Sequence, residues 1–386
     1  MYAVALKMLI GDRGKYLGII MGLTFASLLI TQQASIFTGL MTRTYGAITD
    51  LSQPDIWVMD PKVLYIDDVK PLQGTELFRV RGIPGVDWAV PLYKGLLKAR
   101  LKSGNFQICN VFGLDDATLI GGPPVMIEGI LSDLRRQDSI IVNDVGARTR
   151  LAGLPKFPGG KRVPLKVGDT LEINDHRAVV VGICRVSRTF QSQPVIYTTY
   201  SRATTFAPRE RKLLSFVLVK AEEGEDLQKV CSRIKERTGL GAYTAQQFKD
   251  LTYNFFMRST GIPINFGIAV GLGFLIGTVI AGQTFYNFTL ENLRYFGTLK
   301  AMGATNFLLL RMIILQALMV GAIGYGMGVG GASLFGYLLG GTELAFRLTE
   351  HLLYVSAGAI ALIIVISALI SIRKVMGLEP AIVFKA

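Results

Sequence analysis

Four stretches of this chain contain no Asp, Glu, Lys or Arg: Tyr16–Thr42, Ser259–Leu290, Met312–Thr342 and Leu352–Ile372. A helix needs about 20 apolar residues to cross the hydrocarbon of a bilayer, and each stretch reaches that length. Between the first two lies a charged segment, Arg43–Arg258, with 31 basic and 23 acidic residues. Half of the 386 residues are hydrophobic and only 18% are charged, where a soluble domain carries about a quarter. The pattern predicts a membrane α-helical fold of four transmembrane helices. A large α/β extracytoplasmic domain is inserted between the first and second helices.

The net charge of +13 comes without a basic run interleaved with aromatics, which argues against nucleic acid as a partner. Its distribution instead suggests sidedness. Lys7, Arg13 and Lys15 precede the first stretch, Arg294, Lys300 and Arg311 separate the second and third, and Arg373, Lys374 and Lys385 follow the last. The loop between the third and fourth has only Arg347, against Glu343 and Glu350. Positive residues favour the cytoplasmic side. Both termini and the 291–311 segment are therefore expected inside the cell inner (plasma) membrane, with 43–258 and 343–351 outside. The first apolar stretch is too long for a cleavable signal and reads as a retained anchor. Residues 2–10, within a cytoplasmic 1–15 segment, read as an interfacial helix, and 373–386 as a cytoplasmic tail.

Within 43–258, Thr75–Arg81 reads as a helix closed by Gly82-Ile83-Pro84-Gly85. Strand-like runs follow at Trp88–Pro91, Gly95–Leu101, Phe106–Phe112, Ser139–Asn143, Asp169–Ile173, Arg177–Val186, Val195–Thr199 and Leu214–Lys220. Helices are expected near Val145–Leu151 and over Asp226–Thr238, with turns at Gly168-Asp169 and Asn174-Asp175. This order suggests two subdomains, about 50–130 with 212–255, and about 135–210.

The second span contains two small-xxx-small pairs, Gly267/Gly271 and Gly273/Gly277, a pattern that lets helix backbones approach closely. In the third span, six glycines between 321 and 331 suggest a bend or break. No span has an ionisable residue near its middle, which disfavours a carrier driven by its own membrane carboxylates. A phosphate-binding loop needs G-x-x-x-x-G-K-[ST]. The nearest string, Gly159-Gly160-Lys161, has Pro155 in place of the first Gly and Arg162 after the Lys. Any energy source must then be another chain. Cys109, Cys184 and Cys231 match no zinc or redox spacing. A Cys109–Cys184 bridge is possible, and three small buried hydrophobes is the plainer reading. His176 and His351 sit in no ligand-spaced cluster, so no metal is expected.

The segment Thr289–Gly328, TLENLRYFGTLKAMGATNFLLLRMIILQALMVGAIGYGMG, resembles the FtsX/MacB-like permease family of ABC transporters. The resemblance rests on Glu291 and Arg294, the core Gly297-Thr298-Leu299-Lys300-Ala301-Met302-Gly303-Ala304, Thr305 as a helix cap, and a Gly-rich third span. Val163–Val186 and the ending Glu379-Pro380-Ala381-Ile382 are similar to the family as well, and Phe25–Gln33 resembles its DevC-type branch. Asn292 and Leu293 depart from the family, which often has further charges there.

The resemblance implies a permease subunit, not an enzyme, with no cofactor of its own. ATP and Mg would belong to a partner ABC ATPase. A second permease copy and a membrane-fusion adaptor would complete the assembly, which would turn ATPase closure into movement of the external domain for export or extraction of a substrate. The alternative is a non-transporting regulator of a cell-wall hydrolase or sensor. The residues expected to dock the ATPase are Glu291, Arg294, Phe296, Gly297, Leu299, Lys300, Met302 and Gly303. Phe296, Leu299 and Met302 are read as one apolar edge of a docking helix, with Gly297 and Gly303 permitting turns at its ends.

Overall fold

The computed structural model describes Met8 and residues 13–155, 157, 160, 162–208, 214–340 and 342–376. The expected interfacial helix over 2–10 falls outside the described residues except for Met8, and Glu379–Ile382 falls outside entirely. The chain divides into two compact units, one of Met1–Leu40 with Gly261–Ala386, the other of Met41–Thr260.

The helical unit is built on α1 (Arg13–Thr44). The α/β unit contributes α2 (Gly46–Asp50), α3 (Thr75–Arg81), α4 (Asp144–Arg148), α5 (Tyr200–Phe206), α6 (Leu227–Thr238) and α7 (Ala245–Ser259). The chain then returns to the helical unit with α8 (Ile262–Glu291), α9 (Leu293–Ala301), α10 (Asn306–Leu338) and α11 (Glu350–Met376). Among the described residues, four helices are long and apolar enough to cross a membrane: Tyr16–Thr44, Ile262–Glu291, Asn306–Leu338 and Glu350–Ser371. Their shared core includes Ile19, Leu23, Phe285, Phe288, Met312 and Ile363.

The break expected in the third span is absent, since α10 runs unbroken for 33 residues. Its glycines serve packing instead. Gly324 and Gly328, one turn apart, face α1. A Cβ at 324 would lie 2.7 Å from the Leu23 Cβ and 3.3 Å from the Thr24 amide nitrogen, and one at 328 would meet Ser27. The Ser27 hydroxyl donates to the Tyr325 carbonyl at 3.2 Å. Gly321 abuts Ile364 of α11, while Gly326 and Gly330 face open space. In lipid, a helix that breaks strands backbone groups with no water to satisfy them. That cost outweighs the weak helix propensity of glycine, about 1 kcal/mol per residue.

The α/β unit carries one ten-stranded sheet in the order β10-β1-β9-β2-β3-β8-β5-β7-β4, with β6 pairing β2 and β7. The strands are β1 (Ile56–Met59), β2 (Val86–Arg100), β3 (Phe106–Leu114), β4 (Val125–Glu128), β5 (Ser139–Asn143), β6 (Thr170–Ile173), β7 (His176–Arg185), β8 (Val195–Thr199), β9 (Phe216–Ala221) and β10 (Gly241–Thr244). The two runs expected at Trp88–Pro91 and Gly95–Leu101 are one strand of 15 residues. Its first half pairs with β9 and its second half with β3. The two groups of elements read from sequence as subdomains are joined in this sheet where the end of β2 pairs with β6 and where β3 pairs with β8. A core around Trp57, Phe112, Tyr197, Phe216 and Phe248 draws on both.

Local chemistry sets the turns. Asn174 and Asp175 take positive φ (45° and 65°), the geometry of a two-residue hairpin between β6 and β7. The Asp226 side chain caps α6 at the Gln228 amide, and Gly239 ends it in the left-handed region. Thr244 and Gln247 form a reciprocal capping box on α7. All three cysteines are free and buried.

Candidate functional site: the segment joining the second and third long helices

Asn292 separates α8 from α9. Its dihedrals depart from helical values (φ −88°, ψ 7°), although its amide still donates to the Phe288 carbonyl at 3.2 Å and its carbonyl accepts from the Phe296 amide at 3.1 Å. Its side-chain amide also donates to the Phe288 carbonyl, at 2.8 Å. One of the two residues that depart from the family pattern is thus the one at which the chain turns. The nine-residue α9 ends at Ala301, with Met302 as its C-cap. The Gly303 and Ala304 amides donate to the Lys300 and Leu299 carbonyls at 3.1 and 2.9 Å. Gly303 has φ +93° with open space around it, a position that would strain any other residue. Thr305 caps α10 by accepting from the Leu308 amide at 3.4 Å.

The structure divides the expected docking residues between two faces of α9. Phe296 is fully buried in the core of the helical unit and Gly297 is buried beside it. Leu299 is half-buried against the same core. Met302 is 75% exposed, and Glu291, Arg294 and Gly303 are exposed while Lys300 is half-buried. The apolar edge Phe296–Leu299–Met302 is therefore not one surface. Three-residue steps drift by about 60° each on an α-helix of 3.6 residues per turn. Over two steps the row turns from the core to the outside. Gly297 is mid-helix rather than at a turn, the turn being at Asn292.

The outward face consists of Arg294, Tyr295, Thr298 and Met302, with Tyr295 62% exposed. The sequence reading missed Tyr295, although the spacing 295, 298, 302 was available and marks one helical face. Phe307, at the start of α10, is also exposed, and the Arg311 guanidinium lies 4.3 Å from its ring centroid. The arrangement offers two aromatics, a thioether and two guanidinium groups on a short rigid helix and the start of the next. It provides binding chemistry and no nucleophile or acid–base pair. Among the described residues no group of three or more His, Cys, Asp or Glu could hold a metal ion.

The four glycines of the second span also divide. Gly277 is buried, and a Cβ there would meet Ala26 of α1 and lie 3.2 Å from Ile363 of α11. Gly273 faces Leu29 at 3.3 Å, whereas Gly267 and Gly271 have nothing within 4 Å.

A model of the MacB-like periplasmic core domain matches residues 16–237, and a model of the FtsX-like permease C-terminal region matches residues 255–380. An uncharacterized ABC transporter permease of Methanocaldococcus jannaschii is 27% identical over 165 residues, 42% of this chain and 41% of that protein. The chain thus spans about two fifths of the length of that relative. The extracellular domain of YknZ, a noncanonic ABC-type transporter from Gram-positive bacteria, aligns at 11% identity and a TM-score of 0.33, covering 50% of this chain and 98% of that one. The periplasmic region of MacB from Actinobacillus actinomycetemcomitans aligns at 12% identity and a TM-score of 0.37, covering 54% and 96%. With one family model matching more than half of the chain and the other its C-terminal third, the chain belongs to the MacB/FtsX-type permeases of ABC transporters.

Proposed function

We propose that this permease docks a separate ABC ATPase through α9 and the start of α10, and converts ATP-driven closure of that partner into movement of its α/β domain for export or extraction of a substrate. The observation that carries the reading is the outward face of α9. Tyr295 and Met302 stand exposed on a short helix whose other face is locked into the core of the long helices. A push on such a helix reaches the spans directly, because Phe296 and Leu299 cannot move without them. ATP and Mg would be held by the partner.

Charge supports the sidedness of this reading. Arg294, Lys300 and Arg311 lie between the second and third spans, and basic residues favour the cytoplasmic side. Four crossings then put both termini on that side and the 43–258 domain outside. A second permease copy and a membrane-fusion adaptor are the remaining partners of the proposed assembly.

The test is purification of the full chain from native membranes in mild detergent, combined with labelling of Ser103→Cys in intact cells by an impermeant maleimide. Co-purification of an ATPase and an adaptor, with labelling before lysis, is the expected result. Labelling only after lysis would overturn the topology. A wall hydrolase in place of the adaptor would replace transport by regulation.

A further inference from the structure

Within the α/β unit, the end of β2 and the start of β6 diverge. The two strands pair at only two positions, Ala99 with Ile173 and Arg100 with Glu172. Beyond Arg100 the chain bonds within its own turn, the Leu101 amide donating to the Asn105 carbonyl at 2.9 Å and the Gly104 amide to the Leu101 carbonyl at 2.8 Å. Thr170 and Leu171 pair on their other side, with Val179 and Ala178 of β7. Leu101 and Lys102 on one strand end, and Thr170 and Leu171 on the other, each line two cavities. The cavities therefore meet where the strands part.

The two cavities differ in chemistry. The larger, about 500 Å³, adds Arg100, Glu172 and Arg177 to its lining. These three form one cross-strand row, since Glu172 is the register partner of both arginines. Arg100 reaches Glu172 at 3.4 Å and Lys102 reaches Asp169 at 3.0 Å. The Arg177 side chain is exposed and has no ion pair among the described residues. With Asp169 set against Lys102 and Glu172 against Arg100, one cation remains. The smaller cavity, about 250 Å³, is apolar, with Leu151, Leu165 and Leu171 buried in its wall and Leu154 65% exposed. Its wall is tied to the fold. Gly153 and Val163 exchange hydrogen bonds at 2.8 and 3.2 Å, and the Leu165 amide donates to the Ala147 carbonyl of α4 at 2.9 Å.

An apolar cavity that opens into a cation-bearing one fits a molecule with both characters. Hydrocarbon gains by leaving water, and a guanidinium holds a phosphate or carboxylate through charge-assisted hydrogen bonds. We propose that the paired cavities bind a single-chain anionic amphiphile, with its alkyl chain between Leu151, Leu154 and Leu165 and its phosphate or carboxylate at Arg177. The proposal rests on the reading that this permease exports or extracts a substrate, and it names the chemical class of that substrate. Lys102, paired to Asp169 at the junction, marks the boundary between head and chain.

The experiment uses the full chain in nanodiscs and octyl phosphate with a photoreactive diazirine at the end of its chain. Labelled residues are mapped by mass spectrometry and read relative to labelling of the long helices in the same sample. Label in residues 151–154 and 163–165 is the expected result, with severalfold less from an octyl trimethylammonium that has the same diazirine. Arg177→Ala and Leu154→Asp, both at exposed positions, should each lower that label. For Arg177→Ala the loss should be about tenfold, the low end for a charge-assisted hydrogen bond. No label there would overturn the site, the label on the long helices showing that the probe had reacted. Equal label from the two probes, unchanged by Arg177→Ala, would overturn the anionic head. Neither readout involves the ATPase, so either failure leaves the docking reading standing.

Discussion

Gly324 of α10 packs against Leu23 of α1 so closely that a Cβ at 324 would sit 2.7 Å from the Leu23 Cβ. This contact is why α10 is glycine-rich yet unbroken. Gly324→Leu or Gly328→Val must push the two helices apart, and overpacking of this kind costs about 1–3 kcal/mol. Gly326, between them, faces open space. Gly326→Leu is expected to leave the melting temperature in detergent unchanged or slightly raised, while Gly324→Leu lowers it. Equal effects would remove the α1–α10 seam.

The second span carries the parallel distinction. Gly277→Leu collides with Ala26 and Ile363 of the same chain and should lower thermal stability whatever the oligomeric state. Gly271→Leu meets nothing within the chain. If it weakens recovery of a dimer without changing the stability of the protomer, position 271 lies at the contact between copies. An unchanged oligomer takes it out of that contact.

Lys94 is almost fully buried in β2, where its ammonium pairs with Asp67 and lies 5.7 Å from the Phe112 ring centroid. Its backbone exchanges hydrogen bonds with the Ser215 hydroxyl at 2.9 and 3.1 Å. Asp67→Asn leaves that cation buried without its counter-charge, at a cost of about 3 kcal/mol, the low end for such pairs because Asp67 is partly solvated. Lys94→Met removes the buried charge and should cost less. Chemical denaturation of the two variants decides, and the reverse order would contradict a desolvated lysine.

Burial pushes the Cys109 thiol, and that of Cys184, up from 9.0 to about 12. Because the folded-state value is raised, these groups contribute stability that is complete below about pH 9. It is lost as pH rises from there towards 12, since the unfolded chain ionises first. Stability of the chain should therefore fall above about pH 9, and Cys109→Ala should flatten that fall. At pH 8 the native protein should resist thiol alkylation until it is unfolded. Prompt labelling of all three native cysteines would contradict their burial.

The four long helices were legible because the absence of charge over twenty or more residues is a one-dimensional property. Asp226 and the cap Thr305 were local enough to mark where helices begin. What the sequence hid depends on neighbours remote in the chain. Nothing local shows that β2 continues through Pro91, because its pairing passes from β9 to β3 near that point. β1, Ile56–Met59, is buried at every residue and so lacks the alternation that marks a half-exposed strand. Phe296 and Tyr295 are adjacent aromatics, and only packing against the spans decides that the first is core and the second is surface. The same packing corrects the docking edge: Leu299 packs against the core of the long helices, so Leu299→Glu is expected to damage the fold.

The most direct measurement is therefore recovery of the ATPase with Met302→Glu and Tyr295→Glu. Both positions are exposed in the chain alone, so the permease should insert and fold, as judged by protease resistance of its α/β domain. If the ATPase covers this face, each carboxylate is buried without a partner at a cost of several kcal/mol, and each 1.4 kcal/mol is about tenfold in affinity. The account predicts loss of the ATPase from both purified variants. Full recovery with both would contradict docking through the outward face of α9.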